Sequence, residues 1–305
     1  MKYIIVCGPT CSGKTSLGIQ LARKLGGEII GADSRQIYKK VNLGTAKPAP
    51  DEYSGLKYHL IDFLDLSENF SAFKYGVMAR KLIAEINDNG KIPIVVGGTG
   101  LYLKAVTDGF FQSPEPDNNL REELELKCRE AGLTALYDEL ALVDPETAGK
   151  LSPNDKVRII RALEIFRQTG IPISIHRRKG ASESWGQPLW IGLNTARPTL
   201  YGWINSRVDT MIQKGWEEEL RGLLPDYEKI MKKRILGYVD MFNHIVLRKF
   251  DRRTAIDLVK QHHRNYAKRQ LTWFAKVKQI MWFDPAEQSC RDKVYCLCAD
   301  YLKRA

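Results

Sequence analysis

Apolar and polar positions change period several times along these 305 residues. Residues 1–7 make a nearly continuous apolar run, the mark of a strand buried on both faces, and residues 16–25 then take amphipathic helical spacing. Short apolar runs return at 28–33, which ends in Asp33, and at 92–96, which ends in the glycine turn Gly97-Gly-Thr-Gly100. Strands alternating with helices predict an α/β chain with a parallel sheet. The middle breaks that rhythm. Helical patterns over 118–131, 134–143 and 155–169, the last closed by Gly170 and Pro172, follow one another without a strand between them. Residues 114–187 therefore read as an all-helical insertion, entered at Pro114 and Pro116 and left through 179–187, with 1–113 and 188–305 as the core. No apolar run approaches the roughly 20 residues of a membrane helix, and the chain enters a core strand directly, which predicts a soluble, cytoplasmic protein without a targeting segment.

The first strand and helix are joined by Gly8-Pro-Thr-Cys-Ser-Gly13-Lys14-Thr15, a G-x-x-x-x-G-K-T phosphate loop. Its glycines let the backbone curl around phosphate, Lys14 brings a point charge, and Thr15 a hydroxyl suited to Mg²⁺. A nucleoside triphosphatase would be expected to carry a further strand whose terminal Asp positions the metal. Here the strand at 28–33 ends in Asp33, while the one at 92–96 ends in Thr99 and its glycines, without a carboxylate. In a doubly wound sheet both strand ends face the phosphate loop, giving one acid, one hydroxyl and a diphosphate site. A small-molecule kinase stays open on this reading.

Charge adds a polyanionic partner. Lys plus Arg number 47 against 36 Asp plus Glu, a net +11, and residues 248–278 concentrate the excess. Lys260, Arg264, Lys268 and Lys276 fall at multiples of four, so one helix would carry them as a stripe, with Ala255, Val259, Tyr266 and Trp273 on another face. The six cysteines lack the spacing of a zinc site, and His262-His263 reads as a helix surface feature.

Several motifs occur in order: Gly8-Pro-Thr-x-Ser-Gly-Lys-Thr15, Asp33-Ser-Arg-Gln-x-Tyr38, Gly44-Thr-Ala-Lys-Pro48, His59-Leu-Ile-Asp62, Gly97-Gly-Thr-Gly-Leu-Tyr102, Gly237-Tyr238 and Ala267-Lys-Arg-Gln-x-Thr-Trp273. Together, over residues 3–283, they resemble the bacterial tRNA dimethylallyltransferases, also called tRNA isopentenyltransferases. The resemblance implies a P-loop NTPase-like parallel sheet flanked by helices. It also implies transfer of a dimethylallyl group from dimethylallyl diphosphate to the exocyclic amine of the adenosine 3′ to the anticodon. Its implied ligands are Mg²⁺ and a tRNA anticodon stem-loop, with no membrane and no obligate protein partner. On this basis Gly8, Pro9, Thr10, Cys11, Ser12, Gly13, Lys14 and Thr15 hold the diphosphate, Thr15 also helping to place Mg²⁺. Asp33 is the base, Thr99 stands near both substrates, and Arg234 is the mobile arginine that reaches the pyrophosphate. The implied tRNA contacts are Asp33, Ser34, Arg35, Gln36, Thr99, Arg121, Val157, Arg158, Ile159, Ile160, Arg161, Lys268 and Arg269. Val157 departs from the family's usual Gln. An adenylate isopentenyltransferase acting on free nucleotide is the nearest alternative; it would need neither the basic helix nor the insertion.

Overall fold

A computed structural model describes residues 1–111, 114–180 and 185–304, with the side chains of 179 and 180 left aside. The chain divides into two compact units, 1–107 with 186–305, and 108–185.

The larger unit opens with β1 (Lys2–Cys7), α1 (Lys14–Leu25), β2 (Gly27–Gly31), β3 (Tyr58–His59), α2 (Ala72–Asp88), β4 (Ile92–Val96) and α3 (Gly100–Thr107). The smaller unit holds α4 (Asn118–Val143), α5 (Pro145–Ala148), α6 (Lys156–Thr169) and α7 (Ile173–Gly180). The larger unit then resumes with β5 (Gln187–Leu193), α8 (Arg197–Gln213), α9 (Trp216–Gly222), α10 (Tyr227–Lys233), α11 (Tyr238–Ile245), α12 (Arg252–Phe274), β6 (Met281–Phe283) and α13 (Cys290–Lys303).

The strands form one parallel sheet in the order β3-β2-β4-β1-β5-β6. β1 is central, with Ile4 opposite Ile94 on one side and Leu189 on the other. That position explains its unbroken apolar run: Tyr3 through Cys7 are all fully buried. Leu17 and Leu21 of α1 and Val294 and Cys298 of α13 pack with Ile4, Val6 and Ile94 in one cluster. The phosphate loop thus leaves the middle of the sheet at its carboxyl end, where strand order puts β4 and β5 on either side.

In the smaller unit Leu124, Leu136, Leu140, Ile159 and Leu163 form the core. α4 runs through both helical patterns expected at 118–131 and 134–143, bending between them at Gly132 (φ 84°, ψ 163°). Its end is fixed by the buried Asp144, whose carboxylate accepts the N–H of Thr147 at 3.0 Å and of Ser174 at 2.9 Å, capping α5 and steadying the start of α7. The backbone amides hold this carboxyl below its ordinary pKa against the opposing effect of burial.

Two expectations for α12 need correction. The helix ends at Phe274, before Lys276, and two cations of the supposed stripe are docked on α8: Lys260 pairs with Asp209 at 2.6 Å, and Arg264 donates to Asn205 at 2.7 Å. His263 is not a surface residue. It is 5% exposed, while its neighbour His262 reaches Asp240 at 2.9 Å.

Candidate active site

Between β1 and α1 the chain makes a cradle of backbone. Gly8 lies at φ 138°, and a Cβ there would stand 2.3 Å from the carbonyl oxygen of Leu193 on β5, so only glycine fits. Gly13, at φ 83°, starts α1 without a side-chain cap and leaves its first N–H groups to a ligand. Ser12 Oγ donates to the Pro9 carbonyl at 2.9 Å, and Lys14 Nζ donates to the same oxygen. Burial, and then the charge of Arg207, pull the Lys14 pKa down to about 8; the Asp33 carboxylate acts the other way.

The loop is tied to the rest of the site by Gln270 of α12, which is buried. Its Oε1 accepts the Thr10 N–H at 2.8 Å and its Nε2 donates to the Gly98 carbonyl at 2.9 Å. Gly98 is forced by this bridge, since a Cβ there would lie 2.2 Å from Nε2.

Asp33 follows β2, and its Oδ1 accepts the N–H groups of Arg35 at 2.8 Å and Gln36 at 3.3 Å, an Asx turn that fixes the carboxylate. Thr99 secures that turn from the neighbouring strand end: its Oγ1 accepts the Ser34 N–H at 3.0 Å and donates to Ser34 Oγ at 3.3 Å. Gln36 reaches forward, its Nε2 donating to the carbonyls of Thr45 and Ala46 at 3.0 Å each. Behind them Trp216 lies against Gly44 and Gly237; a Cβ would approach its indole to 2.5 Å at the first and 2.8 Å at the second.

Two cavities meet at Asp33. One, about 340 Å³, is lined by Thr10, Cys11, Gly13, Lys14 and Thr15 of the phosphate loop, and by Lys47 and Arg207. The other, about 190 Å³, is lined by Arg35, Arg234, His263 and Arg269. Thr10, Asp33, Thr45 and Tyr266 border both. Arg234 therefore stands in the second cavity and not in the phosphate cavity; it is exposed and caps α10 in the left-handed region at φ 49°, ψ 50°.

In the smaller unit the implied RNA contacts divide. Arg121 and Arg161 each reach Oε2 of the fully buried Glu164 at 2.9 Å, so both guanidiniums serve the fold of that unit. Ile159 and Ile160 put their side chains into its core, where no polyanion reaches them. Val157 is 78% exposed, and the Arg158 side chain is also exposed, 3.4 Å from Asp155. On α12, Lys268 and Arg269 are exposed. Sequence reasoning passed over Arg207, Gln270 and His263. The Gln of the Ala267-to-Trp273 motif was a usable signal for Gln270; Arg207 and His263 are site residues only through the packing of α8 and α12.

A family profile described as IPP transferase matches residues 36–277. The chain belongs to the IPP transferase family. The transferase is 43% identical to the tRNA dimethylallyltransferase of Desulfosudis oleivorans over 289 residues, covering 94% of this chain and 92% of that one. It is 43% identical to the enzyme of the same name from Geobacillus thermodenitrificans over 292 residues, with 93% and 90% covered. Among solved structures, the full-length tRNA isopentenylpyrophosphate transferase of Bacillus halodurans superposes with a TM-score of 0.72 at 35% identity, covering 99% of this chain and 97% of that one. A eukaryotic dimethylallyltransferase, in crystallographic snapshots of its action on tRNA, superposes at 0.85 with 27% identity, covering 99% and 79%. Among the described residues of the transferase, no helix is long and apolar enough to cross a membrane.

Proposed function

We propose that this chain is a tRNA dimethylallyltransferase, transferring a dimethylallyl group from dimethylallyl diphosphate to the exocyclic amine of the adenosine 3′-adjacent to the anticodon and releasing pyrophosphate. The observation that carries the reading is Asp33 at the meeting of a phosphate-loop cavity and an arginine-rimmed cavity, in a member of the IPP transferase family.

The donor's diphosphate lies in the loop of Gly8 to Thr15. As the carbon–oxygen bond breaks, negative charge gathers on the leaving pyrophosphate, where the loop N–H groups, Lys14 and Arg207 offset it. The acceptor amine is a weak nucleophile because its lone pair is delocalised into the purine. Asp33 accepts its proton as the nitrogen–carbon bond forms, and the Asx turn keeps the carboxylate placed for that transfer. Thr99 is a positioning residue in this account, acting through Ser34.

Thr15 and Asp33 bring oxygen donors to the same cavity, and no cluster of three or more His, Cys, Asp or Glu occurs among the described residues. That donor set fits Mg²⁺, which keeps waters and takes substrate phosphate oxygens in preference to an all-protein cage. When bound through Thr15, the ion supplies charge to the departing diphosphate.

For tRNA, the supporting features are the net charge of +11, the arginines Arg35, Arg234 and Arg269 at the second cavity, and Lys268 beside them. On the helical lobe, the exposed Val157 and Arg158 are read as tRNA contacts in their own right. A tRNA substrate implies work in the cytoplasm. The test incubates the protein with radiolabelled dimethylallyl diphosphate and Mg²⁺ and offers an anticodon stem-loop, free AMP or no acceptor. Label in the stem-loop alone is expected; label in AMP would replace this reading with transfer to free nucleotide.

A further inference from the structure

We infer that His263 is a specificity-determining residue that hydrogen-bonds the acceptor base from the floor of the second cavity. The inference rests on the tRNA transferase reading above.

α12 buries His263 to 5% exposure, and neither ring nitrogen has a hydrogen-bond partner among the described residues, although both are closed off from solvent. Native proteins seldom leave a buried polar side chain unpaired without a use for it. The next residue on the helix makes the contrast, since His262 has found Asp240. His263 borders the second cavity together with Asp33 and the exposed Arg234 and Arg269. A volume of about 190 Å³ has room for a purine, and guanidiniums at the mouth suit the phosphates on either side of it. Gly237 lies against the imidazole, where a Cβ would stand 3.2 Å from Nε2, so its missing side chain leaves the ring room to turn that nitrogen toward the cavity.

The protonation state fits base reading. Burial, with the charges of Arg207 and His262 adding to it, pulls the His263 pKa down to about 4, so at neutral pH one ring nitrogen donates and the other accepts. A purine held with its amine at Asp33 presents ring nitrogens on its other edges, and a neutral imidazole distinguishes such a nitrogen from carbon. An analogue that removes the partner leaves a buried polar atom unpaired, which is how a site rejects a near-isostere.

The experiment uses stem-loops whose acceptor adenosine is replaced by its 1-deaza, 3-deaza or 7-deaza analogue, with the wild-type chain and His263→Leu. We expect wild-type kcat/KM to fall on the order of tenfold for one analogue. With His263→Leu that discrimination disappears, KM for the unmodified stem-loop rises by a similar factor, and KM for dimethylallyl diphosphate stays as it was. An unchanged pattern of discrimination in His263→Leu, or none in the wild type, overturns the proposal. Should the leucine variant not fold, the ¹⁵N resonances of the wild-type His263 ring decide: stem-loop binding is expected to shift one nitrogen, and no shift overturns it. Absence of wild-type transfer to the unmodified stem-loop would instead sink the transferase reading itself.

Discussion

The side chain of Gln270 accepts the backbone N–H of Thr10 at 2.8 Å, joining the phosphate loop to a helix 260 residues further along the chain. Its other end holds the Gly98 carbonyl, so one amide sets the spacing of two ligand-lining turns. Gln270→Ala strands the half-buried Thr10 N–H and the buried Gly98 carbonyl, which should lower stability by about 1–3 kcal/mol and raise KM for dimethylallyl diphosphate by roughly tenfold. Thermal unfolding beside steady-state kinetics checks both; a drop in stability with an unaltered donor KM would mean that the bridge does not shape the loop.

Lys14 gives the donor site a pH dependence. In the folded chain its pKa lies near 8, against an ordinary value of 10.5, so between these values the unfolded chain holds more protons and this group makes stability rise with pH. A bound diphosphate favours the ammonium form and reverses the sign for binding: affinity should weaken as pH rises through about 8. Calorimetric titration with pyrophosphate across that range, in buffers of different ionisation enthalpy, should show proton uptake on binding. Lys14→Met should weaken binding at neutral pH and flatten the profile.

Asp33 separates chemistry from donor capture. Asp33→Asn retains an oxygen to accept the N–H groups of Arg35 and Gln36 but cannot take up the amine proton. Turnover should fall by about a hundred- to ten-thousand-fold, with KM for dimethylallyl diphosphate changed much less. A donor KM that rises as steeply as turnover falls would make Asp33 a binding residue only.

The arginines of the helical lobe are expected to fall into two classes. Glu164→Leu removes the buried carboxylate shared by Arg121 and Arg161 and should cost about 3 kcal/mol of lobe stability, tempered by the partial exposure of both guanidiniums. Arg158→Ala, at an exposed position, should leave thermal unfolding in place while weakening stem-loop binding and lowering its salt slope by about one. Equal melting shifts in the two variants would contradict this division.

What the sequence made legible follows from how local each signal is. The phosphate loop is a contiguous string whose letters and setting agree, and Asp33 and the Gly97–Gly100 turn follow apolar runs that did become β2 and β4. Gly132 and Asp155 likewise mark a bend and a cap through their own backbone chemistry. Burial on α12 was harder to read, because charge spacing says which side chains share a face and not what that face meets. Lys260 and Arg264 met Asp209 and Asn205, and His263 turned inward beside a His262 held at the edge by Asp240. Glu164, polar by composition, is fully buried because two arginines and the Asp117 N–H converge on it. Arg207 carries no motif of its own and becomes a site residue only where α8 passes the loop.

The central place of β1 has a consequence for how the protein is made. Its first residues need Ile94 of β4 on one side and Leu189 of β5 on the other, and the loop after it needs Gln270. Chain closures this long are entropically slow to find. During synthesis the phosphate cradle leaves the ribosome before β4, β5 and α12 and acquires its shape only after them. A nascent chain should therefore gain affinity for pyrophosphate only after α12 has emerged, which makes donor binding a report on synthesis through that helix.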